Sequence, residues 1–67
     1  MKYEDFRDYI HTGLLAKPGG MTWRQLKAAL RLPYDRPCPE WTRRLEREIG
    51  LRRGRGEGRE FIWSIPR

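Results

Sequence analysis

Sixty-seven residues carry fifteen Lys and Arg against nine Asp and Glu, a net charge of +6, with three Trp, three Tyr, two Phe and a single cysteine. A chain this short buries only about 60% of the surface it exposes when unfolded, so one compact, aromatic-rich core over residues 1–67 is the most it can build. One cysteine excludes an internal disulfide, one cysteine and one histidine are too few for a zinc site, and no apolar run approaches the roughly 18 residues of a membrane span.

The charge is unevenly spread. Lys2, Arg7 and Lys17 are cancelled by Glu4, Asp5 and Asp8 in the first twenty residues, so the whole excess lies in residues 21–67 and the isoelectric point is near 10.3. A basic half joined to a neutral half points to a polyanion, nucleic acid being the commonest kind. The plainer alternative is a charged surface that serves solubility alone. The N-terminus lacks the apolar centre of a signal peptide, and the expected location is cytoplasmic, on the nucleoid if the source is bacterial.

Residues 3–12 read as a helix with Tyr3, Phe6, Ile10 and Tyr9 along one side. Gly13 suits a left-handed end with Leu14 folded back, although the position of Leu14 also allows the helix to run on to Leu15. His11 falls near the helix C-terminus, where partial positive charge is favourable, and reads as structural. Lys17-Pro18-Gly19-Gly20 is a turn, with room for a short strand near 20–22.

A second helix is expected over 22–32. Thr22 and Gln25 have the spacing of a capping box, and Met21 and Leu26 that of a hydrophobic staple. Trp23, Leu26, Ala29 and Leu30 then face inward, and Arg24, Lys27 and Arg31 outward. Pro33 ends the helix by disfavouring the α conformation at the residue before it. The connection that follows holds Pro33, Pro37 and Pro39, which makes it stiff, and Pro39 suits the first turn of a third helix. It is longer than the turn of the tightest helix-turn-helix motifs.

The third helix, 39–49, is the most informative stretch. At about 100° per residue, Trp41, Leu45 and Ile49 share one arc, with Cys38 joining them as a small buried residue, while Arg43 and Arg47 project from the other side beside Glu40, Arg44 and Glu46. Gly50 is placed to end it in a left-handed cap. Residues 51–65 have the form of a β-hairpin: Leu51-Arg52-Arg53 leads in, Gly54–Gly58 forms the loop, and Phe61, Trp63 and Ile65 alternate on the returning strand. A phosphate loop does not fit this glycine run, which has no helix after it. The run RGRGEGR is similar to RNA-binding Arg-Gly segments, but it is short and lies between strand-like runs, which favours a hairpin tip.

The order of elements, with MTWRQLKAAL, WTRRLEREIGL and RRGRGEGREFIWSI as its markers, resembles the winged helix-turn-helix superfamily from about Tyr3 to Ile65. The run LEREIGLRR followed by GR and Trp63 is similar to the recognition-helix exit of bacterial winged-helix regulators. The resemblance implies an α+β fold, mostly α, of three helices with a C-terminal hairpin wing. It also implies sequence-specific or semi-specific binding of double-stranded DNA, probing the major groove with residues 39–49 and the backbone or minor groove with residues 52–60, in the service of transcriptional regulation.

The residue chemistry points the same way. Arg43 and Arg47 could each present a guanidinium fork to guanine O6 and N7. Glu40 could accept from cytosine N4, or orient Arg43 or Arg44 through an ion pair. Arg36, Arg44, Arg24 and Lys27 are expected at phosphates, and Arg53, Arg55 and Arg59 at phosphates or in a narrow minor groove. The competing account of the helix arginines is a network with Glu40, Glu46 and Glu48, worth a few tenths of a kcal/mol per pair. Trp41 reads as core and not as a base-stacking platform. No catalytic set, metal site or cofactor is expected. A second copy or a tethered domain is the expected partner besides DNA, and a protein-docking module without DNA binding is the alternative function.

Overall fold

The computed structural model describes residues 1–56, 58 and 60–66. Helix α1 (Tyr3–Leu15) leads to strand β1 (Met21–Thr22), which runs directly into α2 (Trp23–Leu30); α3 (Pro39–Glu48) and the strands β2 (Arg52–Arg55) and β3 (Phe61–Ser64) complete an α+β chain. The three strands form one antiparallel sheet in the order β1-β3-β2.

Amphipathic spacing explains α1. Tyr3, Phe6, Ile10 and Leu14 are buried at intervals of three or four residues. Tyr9 lies about a quarter-turn off that stripe and is 50% exposed. Gly13 does not end the helix: it lacks a positive φ and sits against Leu30 and Leu26 of α2, so α1 continues to Leu15 because Leu14 still has a core to enter.

The capping box at α2 is formed in full. Thr22 Oγ1 accepts from the Gln25 N–H at 3.2 Å, and Gln25 Oε1 accepts from the Thr22 N–H at 2.9 Å. Met21 and Leu26 are both buried, as a staple requires. The helix stops at Leu30, two residues earlier than its sequence suggests. Arg31 takes the left-handed conformation (φ 53°), and the Leu32 N–H donates to the Lys27 carbonyl at 3.0 Å. Pro33 keeps Leu32 out of the α region, so the reversal falls on Arg31 and swings Leu32 into the core. The inward stripe is Trp23, Leu26 and Leu30; Ala29, expected among them, is exposed about a quarter-turn away.

Gly20 is where the sheet meets the α1–α2 turn. Its φ is +85°, and a Cβ there would lie 2.7 Å from the Trp63 carbonyl oxygen and 2.6 Å from Ile62 Cγ2, so only glycine lets β1 close on β3. Pairing of β2 with β3 extends further than its glycines suggest: Gly54 opposes Ile62 and Arg55 opposes Phe61, so two residues expected in the loop belong to the ladder. Trp63 is the sheet's main contribution to the core, 2% exposed and 5.3 Å from the Trp23 ring.

Candidate functional site

Helix α3 is fixed from behind. Leu45 is fully buried, Trp41 and Ile49 pack partly against the core, and Trp41 contacts the rings of Phe6 at 5.1 Å, Tyr3 at 5.5 Å and Tyr34 at 5.9 Å. Trp41 is therefore a packing residue. Cys38, expected to be buried, is exposed. It is the N-cap, with an extended backbone ahead of Pro39, so the helical phase does not apply to it. Thr42 takes the buried place: 3% exposed, its hydroxyl donates to the Cys38 carbonyl at 2.9 Å. At the other end Gly50 has φ +70°, and the Leu51 N–H donates to the Leu45 carbonyl at 3.3 Å. Buried Leu51 and Leu45 complete this left-handed closure.

Both flanks of α3 are tied to neighbouring elements. Toward α1, Arg44 Nε donates to Glu48 Oε2 at 3.3 Å, and its guanidinium carbon lies 3.8 Å from the centre of the Tyr3 ring. Arg7 of α1 donates to the other Glu48 oxygen at 2.9 Å. Chiefly through that Arg7 hydrogen bond, the Glu48 carboxyl is held below its ordinary value. The Tyr3 phenol is pushed up, first by burial and then by the Glu48 charge; its hydroxyl lies beside that carboxylate outside hydrogen-bond geometry. Toward the hairpin, Arg53 Nη2 donates to Glu46 Oε1 at 3.4 Å.

Between these tied flanks lies a free stripe. Glu40, Arg43 and Arg47 are exposed, share one face at intervals of three and four residues, and form no ion pair or hydrogen bond among the described residues. Glu40 thus orients neither Arg43 nor Arg44, and the acids expected to hold the helix arginines are committed elsewhere, except for the Arg44–Glu48 pair.

The surrounding cations divide similarly. Arg36 is exposed in the α2–α3 connection, and Arg55 is exposed on β2 with its guanidinium carbon 5.9 Å from the Phe61 ring centre. Arg24 pairs with Glu60 at 3.5 Å, and Lys27 with Asp35 at 2.6 Å, a contact that holds the Asp35 carboxyl below its ordinary value. Arg59 lies outside the described residues. Two features escaped the sequence reading. Arg52 is a further exposed cation on the hairpin, and Phe61, expected on the inward face of its strand, is 44% exposed. Phe61 does share a face with Trp63, but the core ends before reaching it.

Among the described residues no group of three or more His, Cys, Asp and Glu could hold a metal ion, and no helix is long and apolar enough to cross a membrane. Comparisons of the chain with protein-family models, with curated proteins and with solved structures return no match.

Proposed function

We propose that the chain is a winged-helix domain that binds double-stranded DNA, reading base edges in the major groove with α3 and gripping the backbone or a minor groove with the β2–β3 hairpin. The element order and the β1-β3-β2 sheet are compatible with that layout. The observation that carries the reading is the unpaired stripe of Glu40, Arg43 and Arg47 on a helix held rigidly from behind, in a chain of net charge +6.

Arg43 and Arg47 are separated by about 6 Å along the helix axis at 1.5 Å per residue. That is close to two base steps of about 3.4 Å each. Each guanidinium offers two parallel donors to a guanine, and Glu40 accepts from a cytosine amino group. Arg36, Arg24, Lys27, Arg53, Arg55 and Arg59 supply phosphate contacts; Arg44, folded over Tyr3, holds α3 to α1 and contributes charge from the flank. Transcriptional control is the natural use of such a domain, with specificity raised by a second copy or a tethered domain.

Salt-titrated binding to random duplex tests the reading. Neutralising about six phosphates predicts that log K falls against log salt concentration with a slope of roughly −5. Absence of binding at low salt overturns it and returns the protein-docking alternative. Selection from a random duplex pool then gives the length and symmetry of the preferred site, hence the number of chains that bind it.

A further inference from the structure

A groove of about 430 Å³ opens between α2, the α2–α3 connection and the hairpin. Its aromatic side consists of Trp23, Trp63 and Phe61. Trp63 is buried and Trp23 partly so, their rings packed at a 39° tilt, whereas Phe61 leaves nearly half its surface uncovered at the groove wall. A single exposed phenylalanine needs no explanation. Its company does: the same groove is lined by Arg24, Lys27 and Arg53, and the Arg53 guanidinium carbon is 5.6 Å from the Phe61 ring centre.

Each of the three cations has a carboxylate partner, and two of those partners, Asp35 and Glu60, line the groove themselves. Arg24 meets Glu60, Lys27 meets Asp35 and Arg53 meets Glu46, all pairs whose members are substantially open to solvent. Such pairs contribute little and exchange readily for a better anion. A phosphate group offers several charged oxygens to the same donors. A half-exposed ring, with the guanidinium carbons of Arg53 and Arg55 5.6 and 5.9 Å from its centre, beside cations held by solvent-exposed carboxylates has the chemistry of a nucleotide site: a π face for the base and positive charge for the phosphate, in a space within the usual range for small-ligand sites.

Bases inside a continuous duplex are stacked on one another and cannot present a face to Phe61. We infer that this groove receives one unpaired nucleotide of the bound strand, its base on Phe61 and its phosphate on Arg24 and Lys27. The chain then prefers duplex interrupted by an unpaired nucleotide over continuous duplex. This inference rests on the duplex-binding reading and adds a substrate class to it.

The test measures fluorescence anisotropy of three labelled DNAs of one sequence: a continuous duplex, the same duplex with one unpaired thymidine, and the same duplex with an abasic residue in place of that thymidine. Base–aromatic stacking predicts about tenfold tighter binding of the unpaired thymidine than of the abasic residue. Phe61→Leu, which keeps an apolar side chain and loses the π face, brings the thymidine down to the abasic level, while Phe61→Trp retains the gain; thermal unfolding of each variant checks the fold. Equal affinity for thymidine and abasic residue, or a gain that survives Phe61→Leu, overturns the inference while binding of the continuous duplex still supports the wider reading. Failure of all three DNAs to bind at low salt overturns both.

Discussion

Two neighbouring positions on α3 carry the same side chain and have different fates. Arg43 extends into solvent with no ionic partner among the described residues, whereas Arg44 lies against Tyr3 and shares Glu48 with Arg7. The difference is one step of about 100° around the helix, which turns Arg44 toward α1 and Arg43 away from every packed element. An arginine's role here is set by which neighbouring element stands opposite it. Counting basic residues along the helix does not distinguish a clamp from a reading head.

The comparison depends first on α3 being held still. Leu45→Ala removes a fully buried side chain under the middle of the helix and is expected to cost about 2–5 kcal/mol of folding stability, measured by urea unfolding. A cost below about 1 kcal/mol would mean that α3 is anchored elsewhere, and the distinction between its flank and its outer stripe would lose its basis.

Next comes the contrast itself. Arg47→Ala is expected to cost about 1–3 kcal/mol of binding at a selected DNA site, relaxing the base preference there, with the unfolding midpoint unchanged. Arg44→Ala is expected to act the other way, lowering stability modestly through the lost Tyr3 and Glu48 contacts while preserving base preference. Uniform weakening on all sequences by Arg47→Ala would demote it to a phosphate contact. Altered base preference in Arg44→Ala would dissolve the contrast.

Features that depend on a residue's near neighbours in the chain could be read from the letters. The Thr22–Gln25 box, the Met21–Leu26 staple, the Gly50 closure and a returning strand that buries Trp63 are all local, and the structure has each of them, although Phe61 is exposed and Ile65 lies beyond the strand. Where a remote element decides, the sequence reading falls short. Gly13 was as good a stop signal as Gly50, but Leu26 and Leu30 stand beside it and draw α1 onward. Cys38 sat in phase with Trp41, yet Pro39 sets it outside the helix. The outer stripe of α3 was legible because it follows from helical phase alone. The Arg53–Glu46 and Arg7–Glu48 pairs, which free that stripe by occupying its acids, link separate elements and leave no local mark.

The flank can also be probed by acid, with a smaller effect. Glu48 is held below its ordinary carboxylate value, mainly by the Arg7 hydrogen bond and further by Arg44, so the folded chain releases this proton more readily than the unfolded chain. Its contribution to stability is therefore complete at neutral pH. It begins to fall as the pH drops through the ordinary range near 4.5, and is gone once the folded-state carboxyl is itself protonated. Asp35, depressed by Lys27, loses its contribution in the same direction and persists in a Glu48 variant as an internal reference. Glu48→Gln should thus lower the unfolding temperature slightly at pH 7 and flatten, without abolishing, its decline from pH 6 to pH 3. Parallel curves for the two chains would mean that Arg7 and Arg44 hold Glu48 too weakly to matter. In that case the reason Arg44 faces α1 would reduce to its stacking on Tyr3, which Tyr3→Leu would remove without altering the acid limb.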